Sequence, residues 1–130
     1  MIYTGREIIL QKNENLYPDR NAVRITRIVA EDGTVFLIKA KIRQNTHKRQ
    51  CSAETYIFTK NKEWSLLLDF PWDDLRTSWD VPEPLGSNYP QDDRKAKRVM
   101  DVDFTYMIDD SINILLASLP SNEKEVKAAG

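Results

Sequence analysis

Two extended runs of the chain meet at a dipeptide that turns the backbone back on itself, and no other feature limits the fold as much. Val23-Arg24-Ile25-Thr26-Arg27-Ile28-Val29-Ala30 is rich in branched side chains and ends at Glu31-Asp32-Gly33, after which Thr34 to Arg43 begins. Branched side chains favour a pleated backbone, and Asp-Gly supplies the positive φ angles of a tight hairpin. In the second run Phe36, Ile38, Ala40 and Ile42 alternate with Val35, Leu37, Lys39, Lys41 and Arg43. One face of that strand is therefore apolar throughout, while the other turns basic toward its end.

The hairpin extends into a meander. Gln44 to Gln50 reads as a polar loop, Cys51 to Thr59 as a third strand and Glu63 to Phe70 as a fourth, with Lys60-Asn61-Lys62 as their turn. Glu7 to Gln11 adds a fifth candidate strand at one edge. At Pro71 the pattern changes. Asp69 is placed to cap a short helix in which Trp72, Leu75 and Trp79 fall at helical spacing and Asp73 and Asp74 occupy the first turn. Val81 to Asn88 carries two prolines and a glycine and reads as a connector, and Pro90 suits the start of another helix. Phe104, Met107, Ile108, Ser111, Ile112, Leu115, Leu116 and Leu119 then follow in i+3 and i+4 steps until Pro120. A strand-like alternation of Val102, Phe104, Tyr106 and Ile108 competes, but the helical template spans more residues.

A stripe of that length has to be buried, and the sheet is the surface that matches it. The expected fold is α+β: an antiparallel β-meander of three to five strands with a C-terminal helix packed on one face. Residues 1–120 of the 130 form a single domain on this reading, and 121–130 a flexible polar tail. No repeat of solenoid length is apparent.

The formal net charge of −1 conceals an asymmetry: residues 1–62 hold 12 Lys/Arg against 6 Asp/Glu, a balance of +6, and residues 63–130 hold 7 against 14, a balance of −7. Such halves pair with each other within a compact fold or present a bipolar surface to partners. No apolar run reaches the roughly 20 residues of a membrane-spanning helix, and no secretory signal opens the chain. A single cysteine forms no internal disulfide. A cytoplasmic setting without membrane contact is the expectation.

Catalytic motifs are scarce. His47 is the only histidine and lies four residues from Cys51 with no third group to orient a nucleophile pair. The chain has four glycines and neither a phosphate-binding glycine loop nor a nucleophile elbow. No catalytic residue, cofactor or metal ion is assigned. Of the carboxylate pairs, Asp73/Asp74 and Asp92/Asp93 fit helix first turns, which leaves Asp101, Asp103 and Asp109 for a third alternative, a small metal-dependent hydrolase.

The favoured function is a non-enzymatic protein-binding or inhibitory accessory module. Its contact residues are drawn from Trp72, Asp73, Asp74, Trp79, Asp80 and Tyr89, aromatic groups among acidic ones. The partner is another protein, with a second copy of the chain among the candidates. The nucleic-acid alternative uses the basic set Lys39, Lys41, Arg43, Lys48 and Arg49, with rings such as Tyr56 and Phe58 beside it.

Overall fold

The computed structural model describes residues 3–45, 48–74 and 89–118. Five strands, β1 (Tyr3–Leu16), β2 (Asp19–Ala30), β3 (Val35–Asn45), β4 (Lys48–Phe58) and β5 (Trp64–Asp74), precede one helix, α1 (Asp93–Ser118). The strands form a single antiparallel sheet in chain order, β1-β2-β3-β4-β5. This is the α+β meander with a C-terminal helix on one face.

Local chemistry explains the hairpins. Gly33 sits at φ 91° between β2 and β3, the Ala30 and Thr34 backbones close the turn at 2.8 Å, and Asp32 accepts the Thr34 N–H. Between β4 and β5, Lys62 takes φ 62° while the Thr59 and Glu63 backbones join at 2.9 Å. The segment read as a polar loop after Arg43 is mostly strand: β3 runs on to Asn45 and β4 starts at Lys48, because Gln44 pairs with Arg49 and Asn45 with Lys48. A helix capped by Asp69 does not form either. β5 continues through Pro71 to Asp74, with Asp69 opposite Glu54 and Asp73 opposite Cys51. Proline is tolerated here because β5 is an edge strand and its register shifts between the partners Cys51 and Ala53, where ladder hydrogen bonds are interrupted. Leu75, Trp79, Asp80 and the connector to residue 88 lie outside the described residues.

The helix starts later than Pro90 and runs longer than the 104–119 stripe alone implies. Asp92 caps it, its carboxylate accepting the Lys95 N–H at 3.0 Å and its carbonyl the Ala96 N–H. Ala96, Val99, Met100 and Asp103 carry the buried stripe two turns upstream of Phe104. Val102 and Tyr106, partners in the competing strand alternation, are exposed, whereas Phe104 and Ile108 are buried, as helical geometry requires.

Ile28, Phe36, Ile38, Ala40, Ile42 and Cys51 on the sheet meet Met100, Phe104, Met107, Ile108, Ile112 and Leu115 on the helix in one core cluster. At about 1.5–3 kcal/mol for each large side chain removed from water, before conformational entropy, this contact is what holds α1 on the sheet. The other sheet face carries no helix among the described residues.

Candidate functional site

Strand alternation places Arg20 and Arg24 on the inward face of β2, in phase with Ala22, Thr26 and Ile28, and Arg49 on the inward face of β4. Charges there need partners. The helix supplies them. Arg20 reaches Asp93 at 3.0 Å, the Gln91 carbonyl at 2.9 Å and Gln44 at 3.1 Å. Arg24 reaches Asp101 at 3.0 Å and Gln11 at 3.0 Å, and lies over the Phe104 ring. Nearer the other end of α1, Arg6 pairs with Asp109 at 2.7 Å. The basic first half and acidic second half of the chain thus meet across the sheet–helix contact.

The deepest of these contacts joins Arg49, Tyr89 and Asp103, all essentially inaccessible to solvent. The Tyr89 hydroxyl donates to Asp103 Oδ2 at 2.7 Å, Arg49 approaches the same oxygen at 3.5 Å and stacks over the Tyr89 ring, and Asp103 Oδ1 has no hydrogen-bond partner. Burial pushes the Asp103 carboxyl up to about 6, against the opposing pull of the Tyr89 hydrogen bond and the Arg49 charge. The Tyr89 hydroxyl is held well above its ordinary value by burial and by the neighbouring carboxylate.

The arrangement is structural in its chemistry. Asp101, Asp103 and Asp109 each face an arginine, and among the described residues no group of three or more His, Cys, Asp or Glu is placed to hold a metal ion. Cys51 is buried in the core, and His47 lies outside the described residues.

The helix-free face of the sheet is different. Cross-strand neighbours Val29 and Val35, Leu37 and Tyr56, Tyr56 and Leu66, and Phe58 and Trp64 form one apolar patch over four strands. Phe58 and Trp64 pack at 4.8 Å between ring centroids, yet remain 42% and 43% exposed, and Leu66 is 54% exposed. Glu7 and Arg27 pair at one rim at 2.6 Å. Along β3 the patch gives way to Lys39, Lys41 and Arg43; Lys41 lies 3.8 Å from Glu54, and Arg43 stacks on Trp72 at 4.6 Å while donating to Gln50.

The described members of the aromatic-acidic set expected from sequence are divided between the two sheet faces. Trp72 is exposed on the outer face, Tyr89 is buried on the helix side, Asp73 and Asp74 pair with Cys51 and Gln50 on β5, and Trp79 and Asp80 lie outside the described residues. The basic set is divided as well. Lys39, Lys41 and Arg43 share the outer face and Lys48 is exposed at the start of β4, but Arg49 is turned into the core by its register with Gln44. Sequence reasoning missed the Phe58–Trp64–Leu66 patch, whose signal was the alternation of Trp64 and Leu66 with Ser65. It also missed the inward arginines, visible as charges in the apolar phase of a β-branched run.

Fold and site together define a small α+β domain in which, among the described residues, the helix covers one sheet face and leaves the other open. Comparison with known proteins finds no match among protein-family models, curated proteins or solved structures.

Proposed function

We propose that the protein is a non-enzymatic binding module whose open sheet face docks a protein partner. The observation that carries this reading is the apolar patch of Phe58, Trp64 and Leu66, large side chains left in water around a half-buried Tyr56 and beside a cationic row. Contiguous exposed apolar surface is costly for a soluble domain and marks contact sites, and aromatic anchors concentrate interface energy. The partner that fits presents an apolar surface edged with carboxylates opposite Lys39, Lys41 and Arg43.

The test is affinity capture and titration with the intact chain and with a Trp64→Ser, Leu66→Ser variant. Because both side chains are half exposed, the thermal midpoint stays within a few degrees, while affinity for the captured partner falls by roughly thirtyfold or more. Equal affinity of the two proteins for every captured partner refutes the reading.

A second reading rests on the same face: Lys39, Lys41 and Arg43 with the Trp72 and Tyr56 rings beside them have the ingredients for holding single-stranded nucleic acid. Glu54 and Asp69, paired across β4 and β5 in the middle of the face, oppose it. Oligonucleotide binding at low salt that vanishes when the three cations are replaced would favour this reading over the first. The hydrolase alternative draws no support from acids that are each taken up by an arginine.

A further inference from the structure

Beyond Phe58, Trp64 and Leu66 the apolar surface of the open face continues through Leu37 and Ile25 to Leu10, 46% exposed on the other edge strand. It therefore crosses the whole sheet. Five strands about 4.8 Å apart, with eleven residues rising about 3.3 Å each along β3, β4 and β5, make a face on the order of 800 Å². A stable protein interface buries about that area, roughly 800 Å², on each partner. An occupant that covers this face is as broad as a sheet.

The charges of the face are ordered by strand. Lys39, Lys41 and Arg43 all point outward from β3, while the neighbours of Lys39 along its row are Glu54 on β4 and Asp69 on β5. Toward β1 the charges cancel, Arg27 with Glu7 at 2.6 Å and Lys12 with Glu14 at 3.9 Å. Lys41 and Glu54 lie 3.8 Å apart, and neither Lys39 nor Asp69 has an ion pair among the described residues. A partner that takes these groups out of water has to bring a carboxylate to Lys39 and a cation toward Asp69. The face itself carries both.

We infer that the occupant is a second copy of this chain, packed sheet on sheet about a two-fold axis that runs parallel to the strands between β3 and β4; the inference rests on the docking reading above and names its partner. Such an axis lays β3 of each copy over β4 of the other and β2 over β5, and it keeps every cross-strand row at its own level. Leu37 then falls over Tyr56 of the second copy, and Lys39 over Glu54 of the second copy with Asp69 one strand further out. Symmetry makes each contact twice. A two-fold on β3 itself, along the strand or across it at Lys39, would set Lys39 against Lys39, so the charges select the axis between β3 and β4. Aligned sheets about 10 Å apart, with strand directions within about 30°, accommodate this packing.

The test is sedimentation velocity of the intact 15.1 kDa chain and its variants. Between about 1 and 100 µM the wild type sediments as a dimer with a dissociation constant below about 10 µM. Trp64→Ser, Leu66→Ser weakens the dimer by roughly thirtyfold or more. Lys39→Glu and Glu54→Lys each set like charges together across the axis, and each weakens self-association by roughly tenfold or more. An equimolar mixture of these two single variants restores both contacts and forms a heterodimer within about threefold of the wild-type affinity. A wild-type monomer at about 100 µM overturns the inference, including one whose own residues 75–88 cover the face. So does a dimer indifferent to these substitutions, or a mixture that associates no more tightly than its components. The docking reading fails separately: it stands when a monomeric wild type captures another protein through Trp64 and Leu66, and it falls when their replacement leaves every captured partner bound.

Discussion

Replacing Asp103 by asparagine isolates the energetic consequence of burying a carboxylate beneath α1. In the folded protein this group titrates near 6, against an ordinary value of 3.8, because burial outweighs the Tyr89 hydrogen bond and an Arg49 contact as long as 3.5 Å. The folded state consequently holds a proton at Asp103 between about pH 4 and 6 that the unfolded chain has released. Stability from this group is fully present below pH 3.8 and is lost as pH rises through 6. A difference of about two pH units at about 1.4 kcal/mol each sets the loss at about 3 kcal/mol. Asparagine keeps an acceptor for the Tyr89 hydroxyl but does not titrate. Urea unfolding of wild type and Asp103→Asn at intervals from pH 3.5 to 7.5 should show their stability difference moving in favour of the variant by about 2–3 kcal/mol, most of it between pH 4 and 6.5. Below about pH 4 Asp103 is itself uncharged in the folded state, so the vertical offset of the two curves there reflects only the exchange of carboxyl for amide beside Tyr89 and Arg49. A pH-independent difference, or one that moves toward wild type as pH rises, would show that the Arg49 charge governs Asp103 and would refute the argument.

Two further outcomes follow from the packing and the hairpin. Leu115→Ala, which empties a site 1% exposed between α1 and the sheet, should cost about 2–5 kcal/mol in denaturant unfolding; a loss below about 1 kcal/mol would mean that the end of the helix is not held on the sheet. Gly33→Ala should cost about 1–2 kcal/mol from backbone conformation alone, because Gly33 sits at φ +91° and an added methyl meets nothing within 4 Å; an unchanged midpoint would show that the β2–β3 turn relaxes freely.

Particular residues show where the fold was legible. Phe36, Ile38, Ala40 and Ile42 are buried on β3 at the alternate positions their pattern indicates, and Phe104, Met107, Ile108, Ile112 and Leu115 line the buried side of α1. Asp32-Gly33 makes the turn that its chemistry favours. The site was less legible. Arg49 looked like the continuation of a surface row and is a core residue, and Tyr89 looked like an interface anchor and is hydrogen-bonded beneath the helix. Trp72 is exposed, but on a strand, where its neighbour is Arg43.

By itself the sequence determined the elements whose signals lie within a few residues of one another: the branched run of β2, the period of two in β3, the glycine turn and the 3.6-residue stripe of α1. Backbone sterics and solvent-facing periodicity are local, so these were written in short windows of chain. Only the tertiary structure decided that β5 runs through Pro71, since an interrupted ladder at an edge strand has to exist before a proline fits it. Only the tertiary structure chose the partners of the inward arginines, because a buried charge is stabilised by whichever carboxylate the packing brings to it. Arg49 meets Asp103 across 54 residues of chain and Arg6 meets Asp109 across 103, separations at which no local pattern specifies a contact and only the docking of helix on sheet does.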